Sequence, residues 1–441
     1  MANDSRVNRK NQSKASGAGT AALLARRKRL LGPAYRLFYR EPLHIVRGEG
    51  VWLIDADGRR YLDMYNNVPH VGHCNPHVVE ALTRQIATLN THTRYLHENV
   101  IEYAERLLDR MPAALDVAMF SCTGSEANEL ALRIARAATG NIGVIATEFS
   151  YHGNSQATAD ISTEDTPESE RPPWVVAVPA PDVYRGEHRG ADAAERYATA
   201  LYEAIETLRE RGYGPAAFIA DTIISSSGVV ETPAGYLARA ADIVRAAGGL
   251  FIADEVQPGL GRTGRCFWGF EADGLVPDIV TMGKPMGNGH PLAATVVQRA
   301  LAKRFASRTS YFNTFGGNPV AAAAGIAVLE VIDRDDLQQN AREVGEYLKD
   351  GLRDLANTYS CIGDIRGHGL FLAVELVEDR GTRTPAKALA ADVVEALCHR
   401  GILTNTIGPD ANILKLRPPM VFREEHADLF LEQLNEVLAA R

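Results

Sequence analysis

Two apolar runs, Leu250–Ala253 and Asp278–Met282, constrain this chain more than any other feature. Both have the length of a buried strand and are bounded by glycine or proline, which is the signature of strands covered on both faces in a parallel sheet. Each run gives way to charge that a buried strand would not otherwise carry. The first continues into Asp254-Glu255-Val256-Gln257 and the second into Gly283-Lys284. Open α/β sheets bind ligands outside the carboxyl ends of their strands, so Asp254 and Lys284 are expected to point towards one site. Taken singly, an Asp after a strand reads as a turn cap and a Lys after Gly as a solvated loop residue.

Taken together they suggest chemistry. A carboxylate able to keep a pyridinium nitrogen protonated, beside a lysine able to form a Schiff base, is the pair a pyridoxal 5'-phosphate enzyme requires. An anion site is expected upstream. Val117 to Phe120 reads as a strand, Thr123-Gly124-Ser125 as a turn, and Glu126 to Arg136 as a helix. A strand that turns through Gly-Ser into a helix presents free backbone N–H groups and a dipole end. Ser125 is expected to serve as N-cap, as anion ligand, or as both. Asn141 to Ala146 forms another short strand that ends near Tyr151, an aromatic placed to stack on a cofactor ring or simply to pack in its loop. Strand and helix alternate from about 117 to 300, so the sheet should be mostly parallel. Residues 160 to 195, rich in Pro, Asp, Glu and Arg, read as a long surface excursion.

The expected fold class is α/β. The domain reading has a flexible tail over 1–20, an N-terminal segment over 21–75 that joins a smaller domain, a large domain over 76–330, and an α+β C-terminal domain over 331–441. Asp57-Gly58 marks a hairpin turn in the N-terminal segment. Arg94, in the polar and aromatic interruption at 91–97, is either an anion ligand or a surface arginine. The net charge of −8 argues against a general nucleic-acid or anionic-membrane surface. No apolar stretch reaches the roughly 18 residues of a membrane span. Cys74, Cys122, Cys266, Cys361 and Cys398 are scattered and lack metal spacing. A cytoplasmic protein without a bound metal is expected.

Five motifs in order, SCTGSEANELALR, YHG at 151–153, DEVQ at 254–257, GKPMGNG at 283–289 and NTFGGNP at 313–319, resemble those of class III aminotransferases. These are fold-type I pyridoxal-phosphate enzymes, and the resemblance runs from about residue 30 to the C-terminus. It implies Lys284 as the Schiff-base lysine and Asp254 as the partner of the ring nitrogen. It also implies Gln257 near the ring hydroxyl, Tyr151 stacked on the ring, and Gly124 with Ser125 as the phosphate cup. Thr314 would reach the phosphate from the neighbouring subunit, which makes a homodimer necessary for a complete site.

Within the class, NNVPHVGHCNP, TMGKPMGNGHP, YFNTFGGNPV, GDIRGHGLF and LKLRPPMVF resemble the branch that acts as phospho-lyases on O-phosphoethanolamine. Two departures from the ω-amino-acid transaminases agree. Asp221 to Ser226 replaces an E-P-x-Q-G-E segment, and Lys415 and Arg417 precede Pro418-Pro419-Met420 where many members carry one arginine before P-P-L. The resemblance implies that Lys284 removes a proton from the amine-bearing carbon while Asp254 keeps the ring nitrogen protonated. Phosphate is then expelled from the next carbon, giving acetaldehyde and ammonia. Lys415, Arg417 and Arg94 are the candidate cations for the substrate phosphate. The alternatives are an ω-amine or alanine–glyoxylate aminotransferase, which needs a keto acid, and a non-catalytic cofactor-binding regulator, which calls for a DNA-binding segment that is not evident.

Overall fold

The computed structural model describes residues 19–441. The flexible-tail expectation for 1–20 therefore falls almost wholly outside the described residues.

A seven-stranded sheet organises the molecule. Its strands are β1 (Val117–Ser121), β2 (Gly143–Thr147), β3 (Val175–Val178), β4 (Pro215–Asp221), β5 (Leu250–Asp254), β6 (Ile279–Met282) and β7 (Ala293–Val297), in the spatial order β1-β7-β6-β5-β4-β2-β3. From β6 to β3 every pairing is parallel. These strands are continuous apolar runs because helices cover both faces; in β5, Phe251, Ile252 and Ala253 are fully buried. Each large buried side chain contributes roughly 1.5–3 kcal/mol.

The sheet is mostly parallel, as expected, with β7 inserted antiparallel between β1 and β6 near one edge. One expectation needs correction. The 160–195 segment is not wholly an excursion, since β3 lies within it and pairs with β2. It is an edge strand of four residues behind Pro172-Pro173, and so carries little local signal.

Register sets the site. Asp221 pairs with Asp254 at the ends of β4 and β5, and Asp254 pairs with Thr281 in β6. Three polar side chains thus emerge side by side at the carboxyl edge of the parallel strands.

The chain ends build the rest. Strands Ile45–Glu49, Trp52–Asp55 and Arg60–Asp63 form a meander, with Gly58 at positive φ in the Asp57-Gly58 turn. Ile402–Leu403, from the far end of the chain, adds parallel to Arg60–Asp63. A second antiparallel sheet holds Ile362–His368, Phe371–Asp379, Ile413–Leu416 and Asn405–Ile407. Lys415 lies on the Ile413–Leu416 strand, which brings this sheet to the cavity. The helix Pro319–Arg334 is buried along most of its length, and its Gly325 lets the Tyr103 ring approach where a Cβ would lie 2.4 Å from the ring.

Candidate active site

A cavity of about 350 Å³ opens at the carboxyl edge of β4, β5 and β6. That is enough for a small cofactor together with a small substrate. Gly124, Ser125, Tyr151, Asp254, Gln257 and Lys284 all line it, so one chain gathers six of the expected residues.

Helix α1 (Gly124–Thr139) follows β1 directly. Its N-cap is Thr123, not Ser125. Thr123 Oγ1 accepts from Glu126 N at 3.2 Å, and Glu126 Oε2 accepts from Thr123 N at 3.0 Å and Cys122 N at 2.8 Å. This capping box leaves the first-turn amides of Gly124 and Ser125 without an intrahelical partner at the positive end of the helix dipole. Crowding keeps the turn open. A Cβ at Gly124 would lie 3.0 Å from Val256 Cγ2, and one at Gly153 would lie 2.5 Å from Ser125 Oγ. Ser125 Oγ donates to Asn154 Oδ1 and accepts from Asn154 N, both at 3.1 Å, which ties the turn to the loop that carries Tyr151.

Asp254 is almost completely buried. Its Oδ2 accepts from Asn128 Nδ2 and is bonded to His152 Nδ1, both at 2.8 Å, and its Oδ1 accepts from Val256 N at 3.1 Å. Asn128 is fixed in turn: its Nδ2 also donates to His152 O at 2.8 Å, and its Oδ1 accepts from the Thr281 hydroxyl at 2.6 Å. The carboxylate is therefore held in one orientation by hydrogen bonds to both of its oxygens. Among the described residues His152 Nε2, buried in the cavity wall, has no hydrogen-bond partner.

Asn128, His152 and Thr281 were not anticipated. Their signal in the sequence is a polar residue on an otherwise apolar buried face: Asn128 sits between Ala127 and Leu130, and Thr281 between Val280 and Met282.

Lys284 follows β6 on the same edge. Burial first, and then the nearby Arg417 charge, lower the pKa of its amine, against the pull of Asp254 and Asp221. A lowered lysine is a better nucleophile and base near neutrality. Asp221, also in the wall, has its pKa raised by burial and by the Asp254 charge.

Lys415 and Arg417 are buried behind Gln257 and do not themselves line the cavity. Gln257 Oε1 accepts from Lys415 Nζ at 3.2 Å and from Arg417 Nη1. Lys415 Nζ also donates to Ser225 O at 3.3 Å, and Arg417 Nε to Tyr65 O at 2.9 Å. Both cations face the Phe371 ring, at 5.4 and 5.7 Å. Among the described residues every acceptor on the two cations is a neutral oxygen. Burial, then Arg417, pushes the Lys415 amine well below its usual range.

Arg94 and Thr314 are placed elsewhere. Both are exposed, neither lines the cavity of its own chain, and the Arg94 guanidinium lies 3.7 Å over the Phe312 ring.

These residues fit pyridoxal phosphate. A helix start with open amides offers an anion site, a buried carboxylate lies in the same cavity, and a lysine of lowered pKa stands in its wall. When bound, the cofactor supplies an electron sink conjugated to the substrate amine.

Residues 38–438 match the family model described as Aminotransferase class-III. A phospholyase from Arthrobacter, solved in complex with phosphoethanolamine, superposes with a TM-score of 0.92 at 47% identity and covers 95% of this chain and 100% of its own. Ethanolamine-phosphate phospho-lyase homolog 1 of Caenorhabditis elegans is 41% identical over 434 residues, 94% of this chain and 93% of that protein. Alanine--glyoxylate aminotransferase 2-like of Drosophila melanogaster is 45% identical over 426 residues, 94% of this chain and 86% of that protein. This chain belongs to the class III aminotransferases, pyridoxal-phosphate enzymes of fold type I.

Proposed function

We propose that this chain is a pyridoxal-phosphate-dependent phospho-lyase that eliminates phosphate from O-phosphoethanolamine, after which one water hydrolyses the released enamine to acetaldehyde and ammonia. The observation that carries this reading is the pair of buried cations, Lys415 and Arg417, with neutral oxygens as their only acceptors among the described residues. Asp221, Glu164 and Asp63 act on the pair only through space; buried cations with no carboxylate hydrogen-bonded to them are costly, and their presence beside a cavity signals an anionic ligand. The relatives whose names include phospho-lyase or phosphoethanolamine support the same substrate class.

Each residue has a proposed task. Lys284 Nζ is the attachment point for the cofactor and the base that takes the proton from the amine-bearing carbon. Asp254, oriented by His152 and Asn128, keeps the ring nitrogen protonated. Gly124 and Ser125 hold the cofactor phosphate through backbone amides, Tyr151 packs on the ring, and Gln257 donates its amide to the ring hydroxyl. Lys415 and Arg417 hold the substrate phosphoryl group.

We further infer a homodimer. Tyr95, Leu96 and Phe315 are 66%, 99% and 69% exposed, and stacking of His92 on Tyr95 and of Arg94 over Phe312 joins this part of the surface to the loop that carries Thr314. An apolar patch of this kind marks an interaction face. Thr314 then completes the cofactor-phosphate site of the partner, and Arg94 stands with it at the same face. All five cysteines are free, which supports a reducing cytoplasmic setting. Among the described residues no helix is long and apolar enough to cross a membrane.

The second reading is an aminotransferase, favoured by the name of the Drosophila relative. Incubation with phosphoethanolamine and no keto acid decides between them. A phospho-lyase releases phosphate and acetaldehyde in equal amounts, whereas an aminotransferase needs glyoxylate or pyruvate and leaves the phosphate ester intact.

A further inference from the structure

Gln257 stands between the cavity and the two buried cations. It lines the cavity, yet its Oε1 is taken by Lys415 Nζ and Arg417 Nη1. Lysine and arginine are donors only, so the amide can meet them in one orientation, oxygen inward and NH2 away. One neutral oxygen thus holds two like charges together in a site where burial already disfavours both. Main-chain oxygens of Ser225 and Tyr65 supply the remaining bonds, and the nearby carboxylates, Asp221 for both cations, Glu164 for Lys415 and Asp63 for Arg417, act only through space. A phosphoryl group brings two negative charges and three oxygens, far more than the amide it would replace. A carboxylate brings one charge and gains correspondingly less by the exchange.

We propose that Gln257 is a placeholder ligand: its amide oxygen clamps Lys415 and Arg417 until a phosphoryl group displaces it. The strength of that clamp sets the enzyme's preference for phosphorylated over carboxylated amines. This rests on the reading of the cation pair as the substrate-phosphate site, and extends it by assigning Gln257 a second role besides its contact with the cofactor. The cations exchange one amide oxygen for phosphate oxygens, and no covalent bond is made or broken.

The test is calorimetric titration of cofactor-loaded enzyme with inorganic phosphate, and with acetate as the carboxylate arm. Wild type is compared with Gln257→Met and Gln257→Glu. Methionine has no amide oxygen to displace, so phosphate should bind about tenfold more tightly. Glutamate pairs with both cations, so phosphate should bind on the order of a hundredfold more weakly. The opposite signs separate this role from a merely structural one, which would weaken binding in both variants. Gln257→Leu serves if the Met variant does not load cofactor. If phosphate binds wild type but both variants shift the same way or not at all, the placeholder role is wrong. If phosphate does not bind wild type, or binds no better than acetate, the phosphate-site reading fails first.

Discussion

The two ends of the cavity are built on opposite principles. At the Asp254 end the polar groups bond one another: the carboxylate takes Asn128, His152 and Val256 N, and Asn128 takes Thr281. The chain completes that network from its own residues and so fixes the carboxylate before any ligand arrives. At the Lys415–Arg417 end the two cations are hydrogen-bonded only to amide and carbonyl oxygens among the described residues and face an aromatic ring, while Asp221, Glu164 and Asp63 act on them through space. The contrast separates two needs. On the reading proposed above, a cofactor that stays bound is served by a rigid, prearranged shell, while a substrate that comes and goes is served by cations with no carboxylate bonded to them. Lys284 stands between them and feels both, raised by Asp254 and lowered by Arg417.

Substitutions at each end should therefore fail differently. The largest effect is expected at the junction. Lys284→Ala should lower turnover by on the order of 10⁴-fold and remove the absorbance of linked cofactor; a variant that keeps either would refute the assignment. At the Lys415–Arg417 end, Arg417→Met should raise KM for phosphoethanolamine by about 10²-fold, with kcat and cofactor affinity little changed. At the Asp254 end, Asn128→Ala should do the reverse. It lowers kcat about tenfold, leaves KM near wild type, and loosens the cofactor. Steady-state kinetics on the two variants would break the comparison if both lost KM alone or both lost kcat alone.

Arg417→Met also carries a pH consequence. Arg417 helps to hold the Lys284 amine below its usual pKa, so its removal raises that pKa and less free amine is present at a given pH. The acid limb of cofactor uptake by the apoprotein should then move to higher pH, and a shift to lower pH would contradict the electrostatic coupling. The smallest effect is at the cap. Thr123→Ala removes the bond to Glu126 N and should cost about 1 kcal/mol of stability in a denaturant titration, with a modest loss of cofactor affinity because the first turn of α1 frays.

Much of this was legible in the chain. The apolar runs that became β5 and β6 end in Asp254 and in Gly283 just before Lys284, and the strand–turn–helix at 117–136 placed Gly124 and Ser125 at the cavity. Local patterns carried these because each is a buried run closed by an out-of-place polar residue. The antiparallel strand β7 was not legible, since Ala293–Val297 pairs with strands from residues 117–121 as well as 279–282, and direction of pairing is a long-range property. β3 escaped because a four-residue edge strand is specified by its neighbour β2 more than by its own sequence. Thr123 outcompeted Ser125 as cap because Glu126 lies three residues after it, completing a capping box. The partners of Asp254 were missed for a related reason. Asn128 and His152 lie 126 and 102 residues from it in sequence, and the side-chain pairing exists only once α1 and the 151–154 loop pack over β5. Gln257 was expected at the ring hydroxyl, while its bond to two cations depends on a strand of the second sheet.

The most direct measurement follows cofactor absorbance and phosphate release together, in cofactor-loaded enzyme given phosphoethanolamine as sole substrate. The account predicts many equivalents of phosphate per site, an equal yield of acetaldehyde, and an absorbance that returns to its starting spectrum without any keto acid. A single equivalent of reaction, with the spectrum altered and turnover stalled until glyoxylate or pyruvate is added, would contradict it.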